Sequence, residues 1–167
     1  MKIAIEQAVG VSPARAMAAY ASPAFYENRP TRDEIEVRGV LRHEDGGSEA
    51  LIEVRFAFTG SVSAAVRAVV DPARLSWVTR IVVVPAQGRA TWKVLPDHYP
   101  DRLTAAGSYR FAPGPAAGED APQSTVVRVE GDLRVHVPIV GRSVERTLVT
   151  DLRRYIEDEV SSLSTFA

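Results

Sequence analysis

Two glutamates near the C-terminal end, Glu145 and Glu159, stand where an amphipathic helix should be apolar. From Arg142 onwards Val144, Leu148, Leu152, Tyr155, Ile156, Val160 and Leu163 recur at three- and four-residue spacing, the period of a helix. At about 100° per residue, both glutamates fall inside that apolar stripe. A buried, unpaired carboxylate is costly, so each needs a partner or an opening to water. In the plainer assignment Glu145 favours the positive end of the helix and pairs with a strand arginine, while Glu159 emerges past the sheet edge. In the other, one of them contacts a ligand or acts as a general base.

Other chemistry is sparse. His43, His98 and His136 are far apart, none has a neighbouring His or Cys at metal-ligand spacing, and the chain has no cysteine. No metal site is therefore expected. Neither a Gly-x-Ser-x-Gly elbow nor a glycine-rich phosphate loop occurs, so covalent and nucleotide-dependent catalysis are disfavoured and no cofactor is expected. What remains is aromatic. Phe56, Phe58, Trp77, Trp92, Tyr109 and Phe111 fall on apolar strand faces, with Tyr26 on a short helix. Thr79, Tyr109 and Tyr155 could add hydroxyls to an apolar lining.

The elements that must position these groups follow from periodicity. Lys2 to Val9 alternates as a strand, and Ser12-Pro13 and Ser22-Pro23 each open a short helix, the second carrying Phe25 and Tyr26. A period of two begins at Glu34, with Ile35, Val37 and Leu41 on one face. The turn Asp45-Gly46-Gly47 then leads to a strand from Ala50 to Phe58. Ser61 to Val70 is ambiguous: Val62, Val66, Val69 and Val70 fit the spacing of a short helix, the preferred assignment, while so many valines favour a strand. Four strands follow, at Leu75–Val84, Arg89–Leu95, Leu103–Phe111 and Val127–Val137, with a Pro- and Gly-rich flexible segment over 112–124. The final helix spans about 33 Å and must lie across the sheet.

The chain has 167 residues, 46% of them hydrophobic and 25% charged, with 20 Lys plus Arg against 21 Asp plus Glu. That suits one globular domain over 1–167 and offers no basic face for nucleic acid. Glu6 interrupts the N-terminal apolar stretch, and no apolar run approaches the roughly 20 residues that cross a bilayer. The basic residues are 18 Arg and two Lys, the mark of GC-rich bacterial coding, so a cytoplasmic bacterial protein is expected.

This order of elements resembles the helix-grip fold of the START-like superfamily, which includes polyketide cyclases, lipid-transfer domains and relatives of plant pollen allergens. Residues 129–145, Val-Glu-Gly-Asp-Leu-Arg-Val-His-Val-Pro-Ile-Val-Gly-Arg-Ser-Val-Glu, are similar to the strand-to-helix junction of the bacterial family called domain of unknown function 2505. Residues 60–90 lack a clear match to it. The resemblance implies an α+β domain: a curved antiparallel sheet of about seven strands around a long C-terminal helix, with two short helices after the first strand. It also implies a cavity between sheet and helix. Its lining would draw on Tyr26, Phe58, Trp77, Thr79, Trp92, Tyr109, Phe111, Leu133, Glu145, Leu148, Leu152 and Tyr155. Glu145 matches the family junction and is the better functional candidate of the two glutamates.

The expected partner is a small apolar molecule such as a lipid, sterol or polyketide, without nucleic acid or stable membrane insertion; a homodimer is compatible. A cyclase- or aromatase-like enzyme using a cavity carboxylate or hydroxyl is the alternative. A third is a protein-interaction module with a vestigial cavity.

Overall fold

The computed structural model describes residues 1–29, 34–62, 64–68, 70–115, 123–138 and 141–166. Among them seven strands, β1 (Lys2–Val9), β2 (Ile35–Asp45), β3 (Ala50–Phe58), β4 (Ser76–Val84), β5 (Arg89–Pro96), β6 (Leu103–Pro113) and β7 (Thr125–Val135), form one antiparallel sheet in the order β1-β7-β6-β5-β4-β3-β2. Helices α1 (Pro13–Tyr20) and α2 (Pro23–Glu27) follow β1, a single turn α3 (Ala64–Arg67) follows β3, and α4 (Gly141–Phe166) closes the chain. The α+β helix-grip architecture expected from the sequence is present.

Local chemistry explains the boundaries. The Ser12 hydroxyl accepts from the Arg15 amide and caps α1, with Pro13 in the first turn where its missing N–H costs nothing. With 26 residues, α4 is about 39 Å long. Its start is pressed onto β7: a Cβ at Gly141 would lie 2.8 Å from the Val135 carbonyl oxygen, so only glycine permits the approach. The backbone of α4 then runs close to β1, β7 and α1. Gln7 Nε2 donates to Ser161 Oγ at 2.7 Å, and the Arg153 guanidinium donates to the Ala4 carbonyl, so α4 is tied to the β1 edge.

Alternation fills the inner face. Ile3 and Ile5 of β1, Ile52, Val54 and Phe56 of β3, Ile81 and Val83 of β4, Trp92 of β5, Tyr109 and Phe111 of β6, and Val127, Val129 and Leu133 of β7 are all buried. They meet Ile156, Val160 and Leu163 of α4.

Three details differ from the sequence reading. Leu41, expected on the face of Ile35 and Val37, is 52% exposed. Register shifts between Val37 and Gly39 and between Val40 and Arg42 break the alternation, and Val40 packs on the core instead. Ala112 and Pro113, assigned to a flexible segment, continue β6 and pair with Val126 and Thr125; residues 116–122 of that segment lie outside the described ones. The last apolar strand ends at Val135 rather than Val137. Val69 and the Ile139-Val140 pair of the junction motif also lie outside the described residues.

Candidate functional site

The interior between sheet and α4 has two unlike ends. At one, α1 and α2 cover an aromatic cluster. Tyr20 lies 4.8 Å from Tyr109, 5.7 Å from Phe111 and 6.1 Å from Tyr26 between ring centroids, and Phe25 joins it. The Tyr26 hydroxyl donates to the Tyr20 carbonyl at 2.8 Å. Tyr26 and Phe111, two of the expected cavity residues, therefore fill core at this closed end.

The opposite end gathers the start of β4, the end of β5, the start of β6 and the end of β7, with the N-terminal half of α4 above it. There Trp77, Val94, Leu103, Val135, Leu148, Val149 and Leu152 all pack against the core yet stay half-buried. Phe58 and Thr79 share the inner face of β3 and β4 with them and are also half-buried. Trp77 stacks on Phe56 at 5.8 Å and 17°, and Phe56 meets Tyr155 edge-on at 5.9 Å, giving a continuous aromatic wall. Leu133 is buried beside Ala105 at the back of this space. Phe58, Trp77 and Thr79 of the inner sheet face and Leu148, Leu152 and Tyr155 of α4 are thus all half-buried.

A polar cluster separates the two ends. The Arg29 guanidinium contacts Glu159 Oε2 at 2.6 Å and donates to the Tyr155 hydroxyl at 2.8 Å. It also lies over the Tyr155 ring at 4.6 Å and the Phe25 ring at 5.5 Å. Tyr109 donates to Glu159 Oε1 at 2.7 Å. Both carboxylate oxygens are therefore engaged.

Burial, reinforced by the negative field of Glu159, pushes the Tyr109 phenol well above its ordinary range. Burial likewise raises Tyr20, Tyr26 and Tyr155, the last against a partial offset from Arg29. For Arg29 desolvation works against the cation, but Glu159 and Tyr155 outweigh it and hold the guanidinium above its usual value. At neutral pH the phenol stays protonated and donates to a carboxylate already paired with Arg29.

This corrects the expectation for Glu159. It does not emerge past the sheet edge; it is 4% exposed, because Arg29 and Tyr109 supply the partners that a buried carboxylate requires. Glu145, favoured on sequence, accepts the Val135 amide at 2.9 Å through Oε1, with its other oxygen 3.9 Å from the amine of Met1. Its partners are backbone and chain start rather than a strand arginine, so its carboxylate fastens α4 to β7.

Sequence reasoning missed Arg29 and Tyr20. The signal for Arg29 was its place four residues after Phe25, at the end of an amphipathic turn, combined with a carboxylate inside the apolar stripe of α4. Two surface depressions lie elsewhere, one on the outer sheet face around Lys93, Thr104 and Arg134, the other at Met1, Arg142 and Arg146.

A curved seven-stranded antiparallel sheet gripping a long C-terminal helix is the helix-grip, START-like fold. The chain belongs to the family described as protein of unknown function (DUF2505), whose model matches residues 4–166. No functionally curated protein matches it. Among solved structures it is similar to the protein TTHA0849 from Thermus thermophilus, at 14% identity and a TM-score of 0.61, over 99% of this chain and 95% of that one. Norcoclaurine synthase from Thalictrum flavum gives 16% identity and a TM-score of 0.59, over 100% and 87%. The di-domain aromatase/cyclase BexL of the BE-7585A biosynthetic pathway gives 16% and 0.57, over 99% of this chain and 46% of that one. At these identities the likeness establishes the fold.

Proposed function

We propose that the protein is a binding module for a small, largely apolar molecule held between the inner sheet face and the N-terminal half of α4. The observation that carries this is the contrast between the two ends. Phe25, Tyr20 and Phe111 are sealed at one, whereas Trp77, Val94, Leu103, Leu148 and Leu152 remain half-buried at the other although they point inwards. Contiguous apolar surface left open to water inside a concavity is the usual mark of a ligand site.

A cyclase-like activity draws support from the fold shared with norcoclaurine synthase and BexL, and from a phenol bonded to a carboxylate. Against it, both oxygens of Glu159 are occupied and Tyr109 holds its proton firmly. A buried carboxylate held on both oxygens by protein donors is poorly placed to take a proton from a substrate.

The test is mass spectrometry of the purified protein under native conditions, followed by organic extraction. The binding reading expects an extractable apolar compound at one per chain, or uptake of one from a lipid extract. Protein that carries none and takes up none contradicts it.

A further inference from the structure

Trp92 stands at the centre of the concave face. It faces Gly107 of β6, which in turn pairs with Gly131 of β7. A Cβ at Gly107 would lie 2.6 Å from the indole Cζ2, and one at Gly131 would lie 2.7 Å from the same atom. Glycine weakens a strand interior, so two of them side by side mark a place where something must approach the backbone closely. Here that is the indole.

Despite this close seating, the Trp92 Nε1–H is a buried donor with no hydrogen-bond partner among the described residues, on a side chain belonging to a residue only 6% exposed. Buried indole N–H groups ordinarily find an acceptor. Other buried polar groups of this interior do: Tyr109 with Glu159, Glu159 with Arg29, Tyr26 with the Tyr20 carbonyl, and Thr125 with the Val11 carbonyl at 2.6 Å. The exception lies diagonally across from Tyr109 on the inner face, beside the groove residue Val94 of its own strand.

We infer that Trp92 is a recognition residue, its indole N–H donating to an uncharged oxygen acceptor on the bound molecule: a ketone, ester or ether oxygen. The apolar body of that molecule then lies against Trp77, Val94, Leu103 and Leu152. The inference rests on the binding reading above and specifies the class of ligand. The acceptor is uncharged because the buried cation of the interior, Arg29, is already neutralised by Glu159, and an anionic head would be left unpaired.

Fluorenone and fluorene, which share a shape and differ by one carbonyl, are the probes. They are titrated against the intact chain and against Trp92→benzothienylalanine, which replaces the N–H by sulfur in the same ring outline. With two tryptophans in the chain, the indole N–H region of the NMR spectrum holds two resonances, and Trp77→Phe assigns them. The expected result is a preference for fluorenone of about tenfold, the value of one hydrogen bond in a dry site. The Trp92 proton should move downfield with fluorenone alone. The benzothienyl variant should lose the preference while keeping its affinity for fluorene. Equal binding of both probes with an unmoved Trp92 resonance overturns the acceptor inference and leaves the groove standing. Binding of neither overturns both.

Discussion

Arg29 and Glu159 form an ion pair of 2.6 Å in which the side chains are 9% and 5% exposed. It joins the end of α2 to the last turns of α4 across an otherwise apolar interior. Such pairs are expensive to break from one side, because the surviving charge is left without water. Glu159→Leu should therefore destabilise the fold by about 3–5 kcal/mol, and Arg29→Met by a similar amount. The double variant should recover most of that loss. Urea unfolding of the three proteins checks this; strictly additive losses would mean that the two residues act independently.

The phenols around this pair set the alkaline limit of stability. Tyr20, Tyr26, Tyr109 and Tyr155 all have folded-state values raised above the ordinary 10.0. A raised acid holds its proton longer when folded than when unfolded. Its contribution is fully present below pH 10 and is lost as pH climbs from there towards the folded value. Each phenol adds a slope of about 1.4 kcal/mol per pH unit in that window. Unfolding free energy should be insensitive to these groups at neutral pH and fall steeply beyond pH 10. Phenolate absorbance from these four should rise together with loss of structure rather than ahead of it.

The glycine seat of Trp92 makes a separate prediction. In Gly107→Ala the new methyl would lie 2.6 Å from the indole and 2.2 Å from the Glu130 carbonyl oxygen, which is backbone and cannot move aside. In Gly131→Ala the backbone contact, with the Ala106 oxygen, is 3.2 Å. Overpacking of this kind costs about 1–3 kcal/mol. Gly107→Ala should be the more damaging of the two, and both should shift tryptophan emission. Calorimetric melting and fluorescence spectra read the order directly.

Glu145 should behave as a fastener rather than a ligand contact. Glu145→Gln retains an oxygen that accepts the Val135 amide, so stability should change little, whereas Glu145→Ala should cost about 1 kcal/mol. Affinity for fluorene should survive in Glu145→Gln. A variant that folds normally but no longer binds would return Glu145 to the groove.

The sequence makes the order of elements legible because each boundary has a local cause: Ser-Pro starts, a Gly-Gly turn, alternation in β3 and β5 to β7. It misplaces Leu41 because a bulge changes which residues share a face without changing their types. A helical wheel puts Glu145 and Glu159 on one stripe but carries no information about depth. Depth comes from which element lies opposite each turn of α4. Near Glu145 that is the end of β7, and near Glu159 it is Tyr109 and the incoming Arg29. Arg29 is hard to pair with Glu159 for the same reason: its partner is 130 residues away. Trp77, Thr79, Leu148, Leu152 and Tyr155 are legible as partly inward residues from their faces alone, and in the structure each is half-buried.

Uptake of an apolar molecule by that groove is the central claim. Fluorene titrated into the protein and followed by quenching of Trp77 and Trp92 should saturate at one molecule per chain. Leu148→Arg, placed on the half-buried face of α4 above the groove, should abolish the saturable phase while leaving the melting temperature near that of the parent chain. Quenching that never saturates, or that saturates equally in a folded Leu148→Arg protein, would contradict the account.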